Sequence, residues 1–515
     1  MTISISGKRL ADKNSSLFAT LRAAAVKLAA KDSTLWGSAA QAEAAVRLNW
    51  IDLPESSQEL LPALAELVSW AESNQLTQII LAGMGGSSLA PEVISKAYKK
   101  ELTVLDTTDP DQIRNAIPAN LAHTVVVVGS KSGSTIETAS HKALFEDLFT
   151  EAGLLPRDHI VIITDPGSPL DRSSRSAGLR IINADPNVGG RYSALSAFGL
   201  VPAALMGVDV AGLLADARTA AATFTSADSP AVNLATAIFE AGQQNVAFSD
   251  AGSATPGLSD WIEQLIAEST GKNERGRLPI AIESIDAPVA GSHYLVNLAP
   301  GSADCADAIV LGSLGEQFIL WEWVTALLGV ALEVDPFNQP NVTEAKERTS
   351  AILAKWSSGE KAKLTPAFED ENFAIYSASS AQSLRGQLDD FFAIDSHYIA
   401  IMAYLARGID DEITHARAVV AHKSGRGTTF GWGPRFLHST GQFHKGGQHN
   451  GAFIQITGEN LNDLAIPGRD FSFHTLLMAQ ALGDGEALAD RHFPLMRIHL
   501  KNRSAGIAEL LAALA

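Results

Sequence analysis

Two stretches of the sequence combine glycine with hydroxyl side chains, a combination that suits a phosphate group. The first stretch runs from Gly83 to Ser88 and contains Gly86 and Ser87. The second offers four hydroxyls and one lysine, in the order Ser130, Lys131, Ser132, Gly133, Ser134 and Thr135. Glycines let backbone N–H groups approach an anion closely, and hydroxyls can bond phosphate oxygens without bulk positive charge. We therefore interpret both stretches as phosphate-binding loops.

Each loop also has an alternative interpretation. The first could be a tight turn of small residues, or a dinucleotide fingerprint, because Gly83 and Gly85 have the right spacing and Asp106 follows about 20 residues later. Ser88 stands where that fingerprint usually has glycine. The second loop lacks the closing Gly-Lys-Ser/Thr of a Walker A loop, and a solvated serine-rich turn is its alternative.

Short apolar runs that alternate with helix-compatible segments determine where these loops should lie. The runs cover residues 76 to 83, 102 to 106, 123 to 130, 159 to 165 and 179 to 185. Continuous apolar strands suit a parallel sheet that is buried on both faces, and ligands bind beyond the carboxyl ends of such strands. We predict an α/β fold whose doubly wound parallel sheet places both loops at one edge.

A second unit of the same class is expected further along the chain. Apolar runs return at LPIAIES, HYLVNLA, ADAIVLGS, FAIYSA and NGAFIQITG, with helical insertions around residues 316 to 332 and 387 to 407. The first 75 residues have apolar positions at helical spacing. The predicted organisation is a helical segment over residues 1–75, a first α/β domain over 76–205 and a second over 206–515.

Composition limits the classes of function. The 515 residues are 46% hydrophobic and carry a formal net charge of −18, which argues against broad binding to nucleic acid or an anionic membrane surface. The single cysteine, Cys305, fits a reducing compartment. The sequence shows neither a signal peptide nor an apolar run of about 18 residues. We expect a soluble, cytoplasmic protein that does not span a membrane.

A third motif, Val188 to Ser193 (VGGRYS), extends the pattern beyond a generic phosphate site. The stretches GMGGSSLAPEV, GSKSGSTIET and VGGRYSALSAFG resemble the first glycine loop, the phosphate loop and the arginine signature of the glucose-6-phosphate isomerase family. AESTGK (267 to 272) is similar to its catalytic-base segment, and residues 337 to 346 resemble its lysine signature. The resemblance covers most of the chain and looks closest to the isomerase portion of bacterial fusions with transaldolase.

This resemblance implies a fold and an activity. The fold would consist of two doubly wound parallel-sheet domains of the sugar isomerase (SIS) type with helical additions. The activity would be reversible isomerisation of glucose 6-phosphate and fructose 6-phosphate through a cis-enediolate, in glycolysis and gluconeogenesis. No cofactor and no metal would be required.

The resemblance also implies roles for individual residues. Glu268 would be the base that moves hydrogen between C1 and C2, and Arg191, next to Gly190, would stabilise the enediolate. Lys346 and His438 would open the sugar ring. The further substrate-binding positions, besides the loop residues Gly86, Ser87, Ser130, Lys131, Ser132, Ser134 and Thr135, are Glu137, Gly190 and Gln339. From the residues alone, Glu268 could be a solvated glutamate on a helix face, and Lys346 could form a surface ion pair.

The sequence departs from the family pattern at two points. Asn341-Val342-Thr343 stands where Gly-Val-Glu is usual. The family histidine, expected between the base and the lysine signature, is missing there, and His293 is a poor substitute.

The stretch LHSTGQ (437 to 442), which follows the lysine signature, resembles the histidine-containing stretch that is missing before it. We therefore predict that His438 takes the place of the family histidine. A loop histidine packed against Trp432 and Phe436 is the alternative. His444 and His449 follow closely, but the three histidines include no tight pair and no carboxylate lies among them, so we predict no metal site.

Other functions remain open at this stage. The chain could isomerise mannose 6-phosphate as well, or it could be a non-catalytic SIS protein that binds a sugar phosphate. An oxidoreductase would follow from the dinucleotide interpretation of the first loop. We expect a small-molecule sugar phosphate as the partner, and a homodimer is left open.

Overall fold

The computed structural model describes residues 3–357 and 365–515, except for the side chains at positions 342, 343 and 345. Contacts divide the chain into two compact units. The first comprises the residues up to Asp106, Pro118–Ile285 and Tyr294–Asn338, and the second comprises Thr107–Ile117, Asp286–His293 and Gln339–Ala515. The domain boundaries that the sequence suggests, at residues 75 and 205, stay a proposal, because units defined by contacts need not coincide with folding domains.

Strands and helices alternate along most of the chain. The strands are β1 (Ser4–Ser6), β2 (Gln78–Gly83), β3 (Thr103–Leu105), β4 (Thr124–Gly129), β5 (Ile160–Thr164), β6 (Arg180–Asn183), β7 (Asn245–Ser249), β8 (Leu278–Ala281), β9 (His293–Asn297), β10 (Ala308–Leu311), β11 (Phe368–Glu369), β12 (Phe373–Tyr376), β13 (Tyr398–Tyr404), β14 (Gly427–Trp432), β15 (Gly451–Gly458) and β16 (Leu495–Leu500). The fold is therefore α/β, as predicted.

The helices are α1 (Ser16–Ala29), α2 (Gln41–Arg47), α3 (Leu53–Ser56), α4 (Leu61–Ser73), α5 (Leu89–Ala97), α6 (Pro110–Ala116), α7 (Ile136–Glu151), α8 (Pro169–Ser176), α9 (Ala197–Leu205), α10 (Val210–Ala221), α11 (Pro230–Glu240), α12 (Leu258–Thr270), α13 (Leu314–Leu332), α14 (Pro340–Ser357), α15 (Leu384–Phe392), α16 (Ala416–Ser424), α17 (Gly441–Gly446), α18 (Phe473–Ala489) and α19 (Arg503–Leu514). Within the described ranges, none of them combines the length and the apolar character that a bilayer crossing needs.

The first sheet of the first unit is parallel throughout and has the strand order β3-β2-β4-β5-β6. It confirms the five apolar runs predicted as strands. Every residue of β4 is buried, as expected for a strand covered on both faces. The order reverses between β2 and β4, which makes the carboxyl ends of these two strands the topological switch point of the sheet.

The second sheet of the first unit has the order β1-β10-β9-β7-β8, with β1 antiparallel to β10. Helices α1 to α4 confirm the helical spacing of the first 75 residues. Ser4–Ser6 is an exception, because these three residues form strand β1 and not a helix. Its partner strand β10 is more than 300 residues away in sequence, with Ser4 opposite Leu311. Local spacing could not indicate such a pairing.

The second unit contains a sheet of order β11-β12-β16-β15-β13-β14, in which β12 runs antiparallel to β16 and the strands from β16 to β14 are parallel. The helical insertion predicted around 316 to 332 is confirmed as α13. The one predicted around 387 to 407 is wrong in its second half, where β13 replaces a helix. All seven residues of β13 are buried, and a fully buried apolar run does not distinguish a strand from a helix by its periodicity.

Helix α13 runs through the core of the first unit and carries a glutamate, Glu322, that has no exposed surface. Neither of its carboxyl oxygens has a hydrogen-bond partner among the described residues. Burial raises the pKa of Glu322 well above its ordinary value, because an unpaired carboxylate loses its hydration there. Burial in the folded protein therefore favours the neutral acid form of this side chain.

We predict that Glu322→Gln stabilises the protein, and increasingly so at higher pH. Above about pH 4.5 the unfolded chain releases the Glu322 proton, whereas the folded protein retains it because its pKa is raised. The free energy of unfolding of the wild type therefore falls by up to about 1.4 kcal/mol per pH unit until the pH exceeds the folded pKa. The variant has no such loss. Calorimetric unfolding of both proteins between about pH 5 and about pH 8 measures the difference, and a gap that stays constant with pH would contradict the assignment.

Candidate active site

The loop after β2 lies at the switch point and is packed against the loop that carries Arg191. It forms a 3₁₀ turn over Gly85–Ser87 before α5 begins. A Cβ atom added to Gly86 would lie 1.9 Å from the carbonyl oxygen of Gly190, so no other residue fits there without moving one of the two loops. The structure thus brings Gly86 and Gly190 together, and it buries Ser87 beside them.

The loop after β4 presents hydroxyls at the start of α7. Ser130 Oγ donates to Thr135 Oγ1 over 3.1 Å, and the hydroxyl oxygens of Ser132 and Ser134 are 2.9 Å apart. Ser132 and Ser134 are exposed, whereas Glu137, in the first turn of α7, is buried. Exposed hydroxyls together with a helix N-terminus form a suitable site for an anion.

Lys131, in the same loop, forms an ion pair with Asp165. Its Nζ lies 2.7 and 3.0 Å from the two carboxylate oxygens of Asp165, and it donates to the carbonyl of Pro186 over 3.0 Å. Burial lowers the pKa of Lys131 and raises the pKa of Asp165, and their ion pair opposes both shifts. Lys131 therefore ties the hydroxyl loop to the end of β5 and to the loop that leads to Arg191.

Asp165 was missed by the sequence analysis. It is the final residue of the apolar run HIVIITD, and a charged residue at the carboxyl end of a predicted parallel strand was the available signal.

Arg191 and Glu268 form a buried ion pair in the first unit, with 4% and 5% of their surfaces exposed. Arg191 Nη1 lies 3.3 Å from Glu268 Oε1. Glu268 Oε2 accepts a 3.2 Å hydrogen bond from Gln264, one turn earlier on α12. The two residues that the sequence assigned to base and charge stabilisation are therefore neighbours, and Glu268 is not a solvated glutamate on a helix face.

The remaining donors of Arg191 hold its guanidinium in one orientation. Nε donates to Ser269 Oγ over 2.7 Å, and Nη2 donates to the carbonyls of Pro336 and Asn338 over 2.5 and 3.1 Å. The Tyr192 hydroxyl also donates to Ser269 Oγ, over 3.3 Å. Burial raises the pKa of Tyr192, so this phenol stays protonated. Tyr192 lies in the VGGRYS motif and Ser269 in the AESTGK motif. The sequence did not indicate their roles, because a motif does not show which donors and acceptors converge.

Three further predicted residues lie in the second unit. Gln339 and Lys346 are exposed, at the start and on the surface of α14, and His438 is half-buried at the end of the 3₁₀ turn Arg435–His438. The amide of Gln442 accepts a hydrogen bond from Asn341 N over 3.0 Å and donates to Asn341 Oδ1 over 2.7 Å.

Within this unit the LHSTGQ stretch is thus bound to the start of the lysine segment. The role of His438 stays a prediction. The departure at Val342 and Thr343 lies outside the described side chains.

The other two histidines near His438 have surroundings of their own. His444 is buried against the rings of Tyr398, Phe436 and Phe453, and burial lowers its pKa to about 3. His449 is exposed and is hydrogen-bonded to the carbonyl of Arg491. In the part of the chain that the structure describes, no three histidine, cysteine or acidic side chains group as metal ligands would.

A cavity of about 670 Å³ lies at the amino ends of strands β2 and β4 of the first sheet. Its lining includes Thr77 and His123, which directly precede β2 and β4. Ligands of parallel sheets bind at the carboxyl ends of the strands, so this cavity at the amino ends is a weaker candidate than the two loops.

Comparison with known proteins finds glucose-6-phosphate isomerases among the similar sequences. The model of the phosphoglucose isomerase family matches residues 67–273. A glucose-6-phosphate isomerase of Synechococcus sp. (strain JA-3-3Ab) is 31% identical over 394 residues, which cover 59% of this chain and 74% of that protein. A probable glucose-6-phosphate isomerase of Haloarcula marismortui is 35% identical over 210 residues, covering 39% of this chain and 48% of its own length.

Among solved structures, a hypothetical protein from Thermus thermophilus aligns with a TM-score of 0.57 and 25% identity, over 65% of this chain and 95% of that one. Alignments with several curated relatives are shorter than the Synechococcus one, and the chain spans about half of the Haloarcula protein.

We predict that removing the two exposed hydroxyls of the loop after β4 weakens phosphate binding. A hydrogen bond to a charged group contributes about 1.5–3 kcal/mol, so Ser132→Ala combined with Ser134→Ala should lower the affinity for inorganic phosphate by at least about tenfold. Isothermal titration calorimetry measures this change. Ser176→Ala, which removes an exposed hydroxyl from α8, is the control and should bind phosphate as the wild type does. Equal affinities for all three proteins would refute the phosphate loop.

Proposed function

Because the chain belongs to the phosphoglucose isomerase family, we propose that it interconverts glucose 6-phosphate and fructose 6-phosphate. The observation that carries the proposal is the buried Arg191–Glu268 pair. The loop that bears Arg191 is packed against the first glycine loop at Gly86 and bonded to the hydroxyl loop through Lys131. Glu268 on α12 is therefore linked to the two candidate phosphate loops through the loop that carries Arg191, and this arrangement supports the proposal.

In the proposed reaction, Glu268 acts as the mobile base. With the sugar in its open-chain form, the carboxylate removes hydrogen from C2 of glucose 6-phosphate, and electrons move toward the C1 carbonyl to give the cis-enediolate. The Glu268 carboxyl proton exchanges with solvent, and Glu268 then returns a proton to C1. The O2 hydroxyl proton moves to O1, which leaves the C2 ketone of fructose 6-phosphate. Atoms and charge balance without a cofactor. A positioned carboxylate that both accepts and returns a proton is the usual agent for such a step.

Arg191 is proposed to stabilise the negative charge that develops on the enediolate oxygens. Its guanidinium is fixed by Ser269 and by two backbone carbonyls before substrate arrives. A preorganised cation does not have to reorient during the reaction, so its interaction is strongest where charge appears, in the transition state.

Lys346 and His438 are proposed to open the ring by moving protons between the ring oxygen and the C1 hydroxyl. Glu137, Gly190 and Gln339 are proposed as further substrate contacts. The phosphate would bind to the hydroxyls of the second loop and to the backbone near Gly86 and Ser87. We further propose that the reaction takes place in the cytoplasm and serves glycolysis and gluconeogenesis.

We predict that the protein, without added cofactor, converts fructose 6-phosphate in heavy water to glucose 6-phosphate that carries deuterium at C2, as NMR would show. Glu268→Gln should lower kcat by about 10²–10⁴-fold, because an amide cannot accept the proton. Glu263→Gln changes another buried glutamate on α12, which accepts from Ala281 N over 3.5 Å, and should stay within about threefold of the wild type.

Unchanged turnover in Glu268→Gln would remove Glu268 from the role of base. A wild type that binds fructose 6-phosphate without turning it over would identify a binding protein, and turnover of mannose 6-phosphate would identify a dual isomerase.

A further inference from the structure

Three cations of the first unit converge on one short turn after α13. This turn, Leu332–Asn338, accepts hydrogen bonds from these side chains at several of its carbonyls. Arg275 Nη1 donates to Leu332 O over 2.9 Å, Lys272 Nζ donates to Asp335 O, and Arg191 binds the carbonyls of Pro336 and Asn338. Carbonyls at and beyond a helix C-terminus carry partial negative charge and have no partner within the helix, so they attract cations.

The turn is also held from within. Asp335 Oδ1 accepts hydrogen bonds from the backbone N–H groups of Phe337 and Asn338, at 2.8 and 3.3 Å. The ring of Phe337 packs edge-on against Trp36 at 4.9 Å and contacts Tyr192 at 5.5 Å between ring centres. The carbonyls that Arg191 uses therefore have a defined direction.

Lys272 is the most deeply buried of the three cations, with 3% of its surface exposed. It follows Glu268 by four residues, just beyond the end of α12. Burial lowers the pKa of Lys272 well below its ordinary value, and the charge of Arg191 adds to this effect. Burying a lysine side chain costs free energy, because the amine loses its hydration. Here the buried amine donates to Asp335 O, which is adjacent in the chain to Pro336 O, an acceptor for Arg191.

From this geometry we infer that Lys272 is a positioning residue of the isomerisation: it fixes the Leu332–Asn338 turn, and the turn fixes the Arg191 guanidinium beside Glu268. This inference rests on the proposed function. In this role Lys272 would act through the turn and not by touching the sugar. Its amine holds Asp335 O, the adjacent peptide presents Pro336 O to Arg191 Nη2, and the planar guanidinium then directs Nη1 to Glu268.

The inference predicts a specific kinetic signature. Without the Lys272 amine, the turn loses one of its anchors, and Arg191 and Glu268 sample orientations that do not suit proton transfer. Lys272→Met should therefore lower kcat for fructose 6-phosphate about tenfold. KM should stay within about twofold, because the Lys272 amine donates to Asp335 O, which does not belong to the hydroxyl loop that would bind the phosphate.

The experiment measures kcat and KM together with hydrogen exchange of peptides that cover residues 332–338. Arg277→Met is the matched control. Arg277 is also buried and also donates to backbone carbonyls, those of Ile238, Phe239 and Gly276, but none of these belongs to the turn. Lys272→Met should exchange faster in the turn and lose kcat, whereas Arg277→Met should keep both values. Asp335→Ala, which loosens the turn from within at a half-exposed position, should reproduce the kinetic pattern if Lys272→Met does not fold.

A kcat within twofold of the wild type in Lys272→Met overturns the inference, as does an equal loss of kcat in Lys272→Met and Arg277→Met. If Lys272→Met does not fold, unchanged kcat in Asp335→Ala overturns it. A wild type that does not isomerise fructose 6-phosphate would instead refute the proposed function, and the exchange of residues 332–338 would still report whether Lys272 fixes the turn.

Discussion

The orientation of one buried guanidinium, that of Arg191, is the constraint on which the candidate site depends. A cation taken out of water is tolerated only when its donors are satisfied. The acceptors around Arg191 include the carboxylate of Glu268, the hydroxyl of Ser269 and the carbonyls of Pro336 and Asn338. These acceptors come from α12 and from the turn after α13. The planar fork of arginine matches several fixed directions at once, which a lysine amine could not do.

The order of the first sheet explains why such distant residues can share one site. Because the strand order reverses between β2 and β4, the loops that follow these strands diverge at their carboxyl ends and leave room for a ligand. The Arg191 loop, after β6, is joined to both of them, through the close approach of Gly86 to Gly190 and through the bonds of Lys131. The glycine at position 86 is thus required by a contact between loops, independently of any need to approach a phosphate.

Most of this arrangement could be predicted from the sequence, and the parts that could not share a physical cause. Unbroken apolar runs such as VVVV identified β2 to β6, since strands buried on both faces leave a strong local signal. Strand β1 and the contact of Lys131 with Asp165 depend on partners distant in sequence, which no local pattern encodes. Motifs identified Glu268 and Arg191, but the roles of Ser269, Tyr192 and the Leu332–Asn338 turn follow from side-chain directions that only coordinates supply.

The acidic character of the chain can be reconciled with an anionic substrate through the pairing of its local charges. Lys131 is matched by Asp165 and Arg191 by Glu268, so the cations nearest the two loops bring little net positive charge to the site. The donors left for a phosphate are hydroxyls and backbone N–H groups at helix starts. These donors are neutral and act only at hydrogen-bonding distance, so they select a ligand by shape and position. In the proposed site, hydroxyls and backbone N–H groups of the loops would select the phosphate locally, which is compatible with a formal net charge of −18.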